Sequence, residues 1–363
     1  MITQVELLQI HLHFQVYKLA LLSFISAFVV ALIVIPPLIS FIFRYKLMDI
    51  PNVRKEHTTP VPTMGGIAIV AGMFVALLLW FPFRYETAQV VFFFSVIMLC
   101  LLGIMDDIKD MPAKYKFMIQ FALAFMIALS GTRIQSFDGM FGIHGLPVYA
   151  QYILTIIAIV GITNAFNLVD GIDGLAGGLG FMSLVTVGIF LTLSGDGLTA
   201  LIAFSLAGAV LAFLYYNFNP AKIFMGDTGS LVLGFVTAVM CIRLLQFNSG
   251  AAEPLIPHAP VFILGVVLIP VFDTLRVFSM RSFRGKSPFM ADRTHIHHLL
   301  TNAGFNHSFA AKVIYLIHSI ILLEVFLLRE IRMEYILLIM FLFMVVVSVL
   351  LKHLRVFIPG KAK

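Results

Sequence analysis

Residues 148–194 read VYAQYILTIIAIVGITNAFNLVDGIDGLAGGLGFMSLVTVGIFLTLS, which is two apolar stretches separated by a polar segment rich in Asn, Asp and Gly. A bilayer core requires roughly 20 apolar residues for each helical span, and each stretch approaches that length. Inside lipid, every backbone amide must find its partner within its own segment, so both stretches are expected to be helical. This part of the chain therefore predicts two membrane-spanning helices joined by a short polar loop.

The same pattern continues through all 363 residues of the chain. Hydrophobic residues make up 61% of it and charged residues 12%, whereas about 25% of an ordinary globular domain is charged. The apolar stretches number eleven, at about 19–43, 65–83, 88–105, 117–131, 148–166, 176–194, 198–216, 229–247, 259–280, 311–328 and 335–351. Only residues 194–197 separate two of them, which leaves ten as the alternative count. The longest polar interval, 281–310, is too short for a soluble core, so we predict an all-α fold, a single polytopic membrane helical bundle spanning residues 1–363.

The basic residues predict how the bundle is oriented. With eleven spans, 18 of the 24 Lys and Arg lie in or nearest to the loops of one side, and basic residues accumulate in cytoplasmic loops. The same side holds ten of the 18 Asp and Glu, and carboxylates near lipid are costly unless they bind something. A cytoplasmic site for metal and phosphate is therefore predicted from four polar segments: MDDIKD (105–110), NAFNLVDGIDG (164–174), FMGDTGS (224–230) and FDTLR (272–276).

The sequence composition leads to three further expectations. The net charge of +6 comes mostly from the loop asymmetry and suits an anionic leaflet and anionic substrates, which gives no reason to expect a nucleic-acid partner. Cys100 and Cys241 each fall within an apolar stretch, so we expect reduced packing residues and no disulfide framework. The first 18 residues lack the basic start and the cleavage site of a signal peptide.

The first acidic segment contains Asp106, Asp107 and Asp110 at the end of the third stretch. If the helix continues this far, Asp106 and Asp110 lie one turn apart on one face. Carboxylates this close repel one another, which raises at least one pKa unless a cation is bound nearby. The alternative is a solvated helix end that neighbouring lysines neutralise.

The second segment places Asn164, Asn167, Asp170 and Asp173 at intervals of three. A helical segment keeps oxygens at this spacing roughly on one side, and the glycines beside the acids allow a ligand to approach the backbone. Amide and carboxylate oxygens suit Mg²⁺, which keeps several waters and usually bridges to a substrate phosphate. An Asn/Asp/Gly turn between two spans is the alternative, and it explains the composition but not the spacing.

The third segment, GDTGS at residues 226–230, opens the eighth stretch. Small residues at a helix start expose amide N–H groups to an anion, and one Asp among them can hold the metal that neutralises it. The alternative is an ordinary helix N-cap.

The fourth segment continues into a basic loop with three histidines in four residues, His295, His297 and His298. Arg binds phosphate through a fork of donors, and His donates to phosphate oxygens or ligates a metal. Zinc is the rival to diphosphate here, although no cysteine lies nearby and the acids favour a hard metal. A further loop at residues 49–66, DIPNVRKEHTTPVPTMGG, mixes prolines with basic groups that suit a phosphate.

These motifs together resemble one family. The segment DDIKD followed by Lys116 and Gln120, then NAFNLVDGIDGL, FMGDTGS and SPFMADRTHIHH, with the proline-containing loop before them, is similar to the polyprenyl-phosphate N-acetylhexosamine-1-phosphate transferases. Order and spacing agree over about residues 45–300. The DRTHIHH segment resembles the branch that transfers N-acetylglucosamine 1-phosphate, and the muramoyl-pentapeptide branch is the alternative.

The resemblance implies a reaction at a bacterial inner membrane, with the active site facing the cytoplasm. Undecaprenyl phosphate and UDP-N-acetylglucosamine would give undecaprenyl diphosphate N-acetylglucosamine and UMP, the initiating step of a cell-envelope glycan. The cofactor would be Mg²⁺, with Mn²⁺ as the alternative. The spans at 311–351 would be peripheral to the motif-bearing part, and the oligomeric state, a homodimer included, stays open.

We assign residue roles on this resemblance. Asp106 and Asp107 are expected to be catalytic, and Asp227, Asn167 and Asp107 are expected to hold the metal. The expected substrate-binding residues are Lys55, Lys116, Asn164, Asp170, Asp173, Gly226, Arg276, Arg293, His295, His297 and His298.

A transporter is the alternative from another class, because transporters place charged groups near the bilayer midplane. Only His318 and Glu324, in the tenth stretch, look intramembrane. We expect them to form a packed polar pair or to reach toward a membrane edge.

Overall fold

The computed structural model describes residues 4–45, 48–49, 61–83, 86–251, 254–287 and 294–354. These ranges contain twelve α-helices, a two-stranded hairpin and a short 3₁₀ helix at Met140–Gly142. The helices are α1 (Gln4–Tyr45), α2 (Gly66–Trp80), α3 (Thr87–Lys109), α4 (Ala113–Leu129), α5 (Val148–Val169), α6 (Leu175–Ser194), α7 (Gly197–Asn217), α8 (Gly226–Ser249), α9 (Ala259–Phe283), α10 (Ile296–Asn302), α11 (His307–Leu327) and α12 (Met333–His353). Strand β1 (Met48–Asp49) pairs antiparallel with β2 (Val61–Pro62).

Every predicted apolar stretch lies in a helix, and the all-α membrane bundle is confirmed. Nine of the described helices are long and apolar enough to cross a membrane, whereas α2 and α4 have 15 and 17 residues. The count of eleven membrane spans stays a prediction, but the predicted separation at residues 194–197 is confirmed, because α6 and α7 are separate helices. Gly195 takes a left-handed φ of +92° after α6, and the Asp196 side chain accepts a hydrogen bond from Thr199 N in the first turn of α7.

Helix α8 lies at the centre of the bundle. In its most apolar 18-residue segment, 83% of the residues are buried, compared with 28% in the corresponding segments of α1 and α12. Glycines bring two other helices directly onto its first turn: a Cβ added to Gly66 would lie 2.1 Å from Gly229 N, and one added to Gly103 would lie 2.3 Å from Thr228 Cα. The start of α8 is therefore held by backbone contacts with α2 and α3.

We expect Gly103→Ala to destabilise the protein, because the added methyl group meets backbone that cannot rotate away. Overpacking of this kind typically costs about 1–3 kcal/mol. The measurement is the thermal unfolding temperature of the detergent-solubilised protein. Gly161→Ala on α5 is the control, because a Cβ there has no neighbouring atom within 4 Å. Equal unfolding temperatures for the two variants would contradict the backbone contact.

Two other expectations concern residues within the spans. Cys100 and Cys241 are both free thiols, on α3 and α8, as predicted. The expected pair of His318 and Glu324 is wrong, because the His318 ring is fully buried on α11 and neither of its nitrogens has a hydrogen-bond partner among the described residues. The two residues lie six positions apart on one helix, a spacing that turns their side chains to different faces.

Candidate active site

Four helices meet through polar side chains at one end of the bundle. Lys116, near the start of α4, donates from Nζ to Asp106 at the end of α3 and to Asp227 at the start of α8, each at 2.9 Å. From α5, Asn167 Nδ2 donates to Asp227 Oδ1 and to Ser230 Oγ, also at 2.9 Å each. Segments more than a hundred residues apart in the chain are thus joined around one lysine.

Asp106 is buried, with both carboxylate oxygens engaged. Its Oδ1 accepts a hydrogen bond from Met111 N at 2.7 Å, and its Oδ2 accepts the bond from Lys116. The first bond closes the turn after α3, where Asp110 takes a left-handed φ of +32°. In this arrangement the carboxylate holds the lysine in place and fixes the loop that leads to it.

Asp107 caps helix α8. Its Oδ1 accepts from Asp227 N at 2.8 Å, and its Oδ2 accepts from Thr228 N at 3.1 Å and from Thr228 Oγ1 at 2.6 Å. Gly226, with a φ of +71°, makes room for it, since a Cβ there would lie 2.5 Å from Asp107 Oδ2. The carboxylate therefore satisfies amides that a helix start leaves open. Metal binding by Asp107 and substrate binding by Gly226 stay predictions.

The Asn and Asp residues at intervals of three do not share one helix. Helix α5 ends at Val169, so only Asn164 and Asn167 lie on it. Asn164 is one turn deeper in the bundle and donates to Gln120 Oε1 and to Val160 O. The expectation of one helical face carrying all four residues is wrong, because the chain turns at Gly171 and at Gly174, which has a φ of +80°.

Asp170 follows the last residue of α5 and lies in a strongly negative environment. Burial, together with the neighbouring carboxylates of Asp227, Asp107 and Asp173, raises the pKa of its carboxyl group to about 8. Like charges gathered in this way favour either a proton or a bound cation.

Asp173 is buried and fully paired within the protein. Its Oδ2 accepts from Asn219 Nδ2 at 2.9 Å and from Ala221 N at 3.1 Å, and its Oδ1 lies 3.2 Å from His307 Nδ1. Burial by itself would raise the pKa of this carboxyl, but the hydrogen bonds and the charge of His307 lower it below its usual value. Asp173 thus joins the α5–α6 loop to the segment before α8 and to α11, while the predicted substrate contact stays a prediction.

The basic loop is anchored on a buried acid of α9. Asp273 is 1% exposed and accepts hydrogen bonds from Arg276 Nη2 at 2.7 Å and from Ile296 N at 3.0 Å. Its Oδ2 lies 2.9 Å from His295 Nδ1, and Arg276 also donates to Thr294 O. The FDTLR motif predicts a polar segment here but gives Asp273 no role of its own. A lone Asp one turn before Arg276 on an apolar helix was the available signal.

The histidines pack against the α5–α6 loop. The rings of His295 and His297 stack with centroids 5.7 Å apart, and the ring of His298 lies 4.2 Å from that of His297. His297 rests on Gly171, where an added Cβ would lie 2.4 Å from its Nε2. In the described part of the chain, no three His, Cys, Asp or Glu side chains are already arranged as ligands of one metal ion. Lys55 and Arg293 lie outside the described residues, so the phosphate contacts expected of them stay predictions.

Comparison with known proteins identifies the family. Residues 89–245 match glycosyl transferase family 4. A Bacillus subtilis (strain 168) protein described as a probable undecaprenyl-phosphate N-acetylglucosaminyl 1-phosphate transferase is 35% identical over 310 residues, which is 85% of this chain and 84% of the relative. The chain belongs to glycosyl transferase family 4. The predicted membership of the polyprenyl-phosphate N-acetylhexosamine-1-phosphate transferases is confirmed.

Two more relatives carry a similar description. Proteins of Haemophilus influenzae and Yersinia pestis, each described as an undecaprenyl-phosphate alpha-N-acetylglucosaminyl 1-phosphate transferase, are 36% and 32% identical. The alignments cover 78% of each chain for the first and 71% of this chain and 70% of the relative for the second. These names favour neither the muramoyl-pentapeptide branch nor a transporter.

Proposed function

We propose that this protein transfers N-acetylglucosamine 1-phosphate from UDP-N-acetylglucosamine to undecaprenyl phosphate, giving undecaprenyl diphosphate N-acetylglucosamine and UMP. The observation that carries the proposal is the junction of Asp106, Lys116, Asn167 and Asp227 at one end of a membrane bundle, in a chain whose relatives are named for this transfer. In the sequence, 18 of the 24 Lys and Arg fall in or nearest to the loops of that side, so we place the site on the cytoplasmic face of a bacterial inner membrane.

Catalysis of this reaction requires mainly that the two phosphates be aligned. One phosphoanhydride is broken and another is made, so catalysis reduces to holding the two phosphates in line and neutralising their charge. The acceptor phosphate has a second pKa near 6 and is mostly ionised at neutral pH, so it needs little help from a base. Asp106 then serves mainly to hold the Lys116 ammonium toward the phosphates, and deprotonation of the lipid phosphate by Asp106 is a minor part of its role.

Transfer in one displacement fits the hydrogen bonding better than a covalent phospho-aspartate. The lipid phosphate oxygen attacks the phosphorus that carries the sugar, and UMP leaves with the electron pair of the broken P–O bond. Asp107 is a poor nucleophile in this setting, because it already accepts hydrogen bonds from two amides and one hydroxyl. Its contribution is to cap α8 and so orient Asp227.

The acids suit Mg²⁺, with Mn²⁺ as the alternative. Asp227 and Asn167 Oδ1 would hold the ion, with Asp107 behind them. The pKa of Asp170 is raised by burial and by the negative charge of the neighbouring carboxylates, and a cation would relieve that charge. Mg²⁺ is usually bound through one or two carboxylates plus substrate phosphates, so a site with few protein ligands fits it. When bound, Mg²⁺ would stabilise negative charge on the diphosphate.

The remaining candidates line the approach of the phosphates and the nucleotide. Arg276, His295, His297 and His298 supply donors for diphosphate oxygens, and Asp273 orients the first two of them. Lys55 and Arg293 are proposed to add cationic contacts to the same phosphates. Asn164, Asp170, Asp173 and Gly226 complete the wall of the site. Gly226 directly precedes Asp227, and Asp170 lies close enough to Asp227 for the two carboxylates to interact.

The test is an assay on the purified, detergent-solubilised protein. With UDP-N-acetylglucosamine, undecaprenyl phosphate and Mg²⁺, we expect UMP release, and we expect EDTA to stop it. UDP-N-acetylmuramoyl-pentapeptide in place of UDP-N-acetylglucosamine should release no UMP. Release only from the pentapeptide donor would assign the chain to the other branch, and release from neither donor would overturn the proposed transfer.

A further inference from the structure

The α5–α6 loop, residues 170–174, carries Asp170 at one end and contacts His297 at Gly171. Its conformation therefore sets the distance between the acidic junction and the histidines. The loop itself is glycine-rich, and a glycine-rich segment holds one conformation only when other groups restrain it.

Helix α11 supplies two of those restraints, although it lies beyond residues 89–245 that match the family. Tyr315 donates its hydroxyl hydrogen to Gly174 O at 2.5 Å, and that oxygen also accepts the first hydrogen bond of α6, from Gly178 N at 2.8 Å. At the start of α11, His307 Nδ1 lies 3.2 Å from Asp173 Oδ1. The α6 end of the loop, at residues 173 and 174, is thus tied to one helix at two points.

The packing around Tyr315 is close as well as polar. A Cβ added to Gly178 would lie 2.0 Å from the Tyr315 hydroxyl oxygen, so the glycine makes room for the tyrosine. On the opposite side, the buried Asn217 accepts from Gly174 N at 2.9 Å and donates to Ile223 O at 2.9 Å. Residue 174 is therefore held from α7 and from α11 at the same time.

We propose that Tyr315 and His307 are positioning residues for the transfer reaction, which hold the α5–α6 loop so that Asp170 faces Asp227 and Gly171 supports His297. The inference rests on the proposed function. Its consequence is that α11, which the sequence suggested was peripheral, takes part in forming the active site without touching substrate.

The test uses Tyr315→Phe, which removes one hydroxyl group and keeps the ring. We expect kcat for UMP release to fall roughly tenfold, within the range that displaced catalytic groups produce when the mutation is remote from the chemistry. The Mg²⁺ concentration for half-maximal rate should rise several-fold, and hydrogen exchange should accelerate in a peptide that covers residues 170–178. A role in stability alone would lower the amount of folded enzyme and leave the Mg²⁺ requirement unchanged.

Matched variants distinguish a positioning role from a role in stability alone. Tyr149→Phe is the control, because Tyr149 is 70% exposed on α5, and it should equal wild type in every readout. His307→Leu should behave like Tyr315→Phe, whereas His307→Gln keeps a donor for Asp173 and should restore most of the activity. The His307 pair provides the test if Tyr315→Phe fails to fold.

Failure of the positioning role can be distinguished from failure of the proposed function. Absence of UMP release by the wild type would overturn the proposed function. Release by the wild type, combined with an unchanged Mg²⁺ requirement or unchanged exchange at residues 170–178 in Tyr315→Phe and His307→Leu, would overturn the positioning role alone.

Discussion

Asp227→Asn is expected to reduce kcat for UMP release by roughly 10³-fold, the scale on which loss of one charge-stabilising group acts. Asparagine has nearly the shape of aspartate, so the hydrogen bond with Lys116 can persist while the negative charge is lost. Without that charge, a divalent cation has lost the central ligand of its proposed site. The remaining activity should therefore respond weakly to Mg²⁺ between micromolar and millimolar concentrations.

Asp138→Asn is the matched control for this substitution. Asp138 lies in the loop between α4 and α5, at the opposite end of the bundle from Asp227, and accepts a hydrogen bond from Ser249 Oγ at 2.7 Å. Its φ of +51° is a conformation that asparagine tolerates well. The control should retain wild-type kcat and Mg²⁺ response. If Asp227→Asn did the same, the proposed metal site would be wrong.

Lys116→Met is expected to lower kcat by roughly 10²-fold to 10³-fold, since one preorganised charge is removed from the site. The ammonium is the group that lies between Asp106 and Asp227, at 2.9 Å from each. Its loss leaves two carboxylates facing each other, and their repulsion should open the junction. Lys116→Arg keeps the positive charge but changes its shape, so we expect it to recover only part of the rate.

Lys114→Met provides the comparison two residues away. Lys114 is exposed and lies over the ring of its neighbour Tyr115, at 4.8 Å from the ring centroid. We expect steady-state kinetics of this variant to match wild type, because a solvated lysine contributes little to the site. An equal loss of rate in the two methionine variants would mean that only the general basic charge of this segment matters.

Much of the site could be read from residue types and local spacing. Asp106, Asn167 and Asp227 stood out because carboxylates and amides beside apolar stretches are costly without a ligand. The start of α8 at Gly226 followed from the run of small residues before an apolar stretch, and the structure begins the helix at that residue. These inferences used information contained within one segment at a time.

Other features depended on contacts between segments. Nothing in the sequence around Asp107 indicates that its carboxylate accepts from Asp227 N, 120 positions further along the chain. The pairing of Asp173 with His307 also joins distant segments, and that of Asp273 with His295 joins two residues 22 positions apart. Spacing in threes predicts a continuous helix through Asp173, but the chain turns after Val169, so Asp173 is not on the helix that carries Asn164 and Asn167.

The sequence by itself determined that this protein is a helical membrane bundle, which side carries its charges and which acids gather there. It could do so because lipid imposes the same length and hydrogen-bonding requirement on every span, and that requirement is visible in each segment alone. Only the tertiary structure decided which of those acids surround Lys116 and which cap a helix or fasten a loop. That division depends on how closely neighbouring backbones approach, as at Gly66, Gly103 and Gly178, and close approach is a property of pairs of helices.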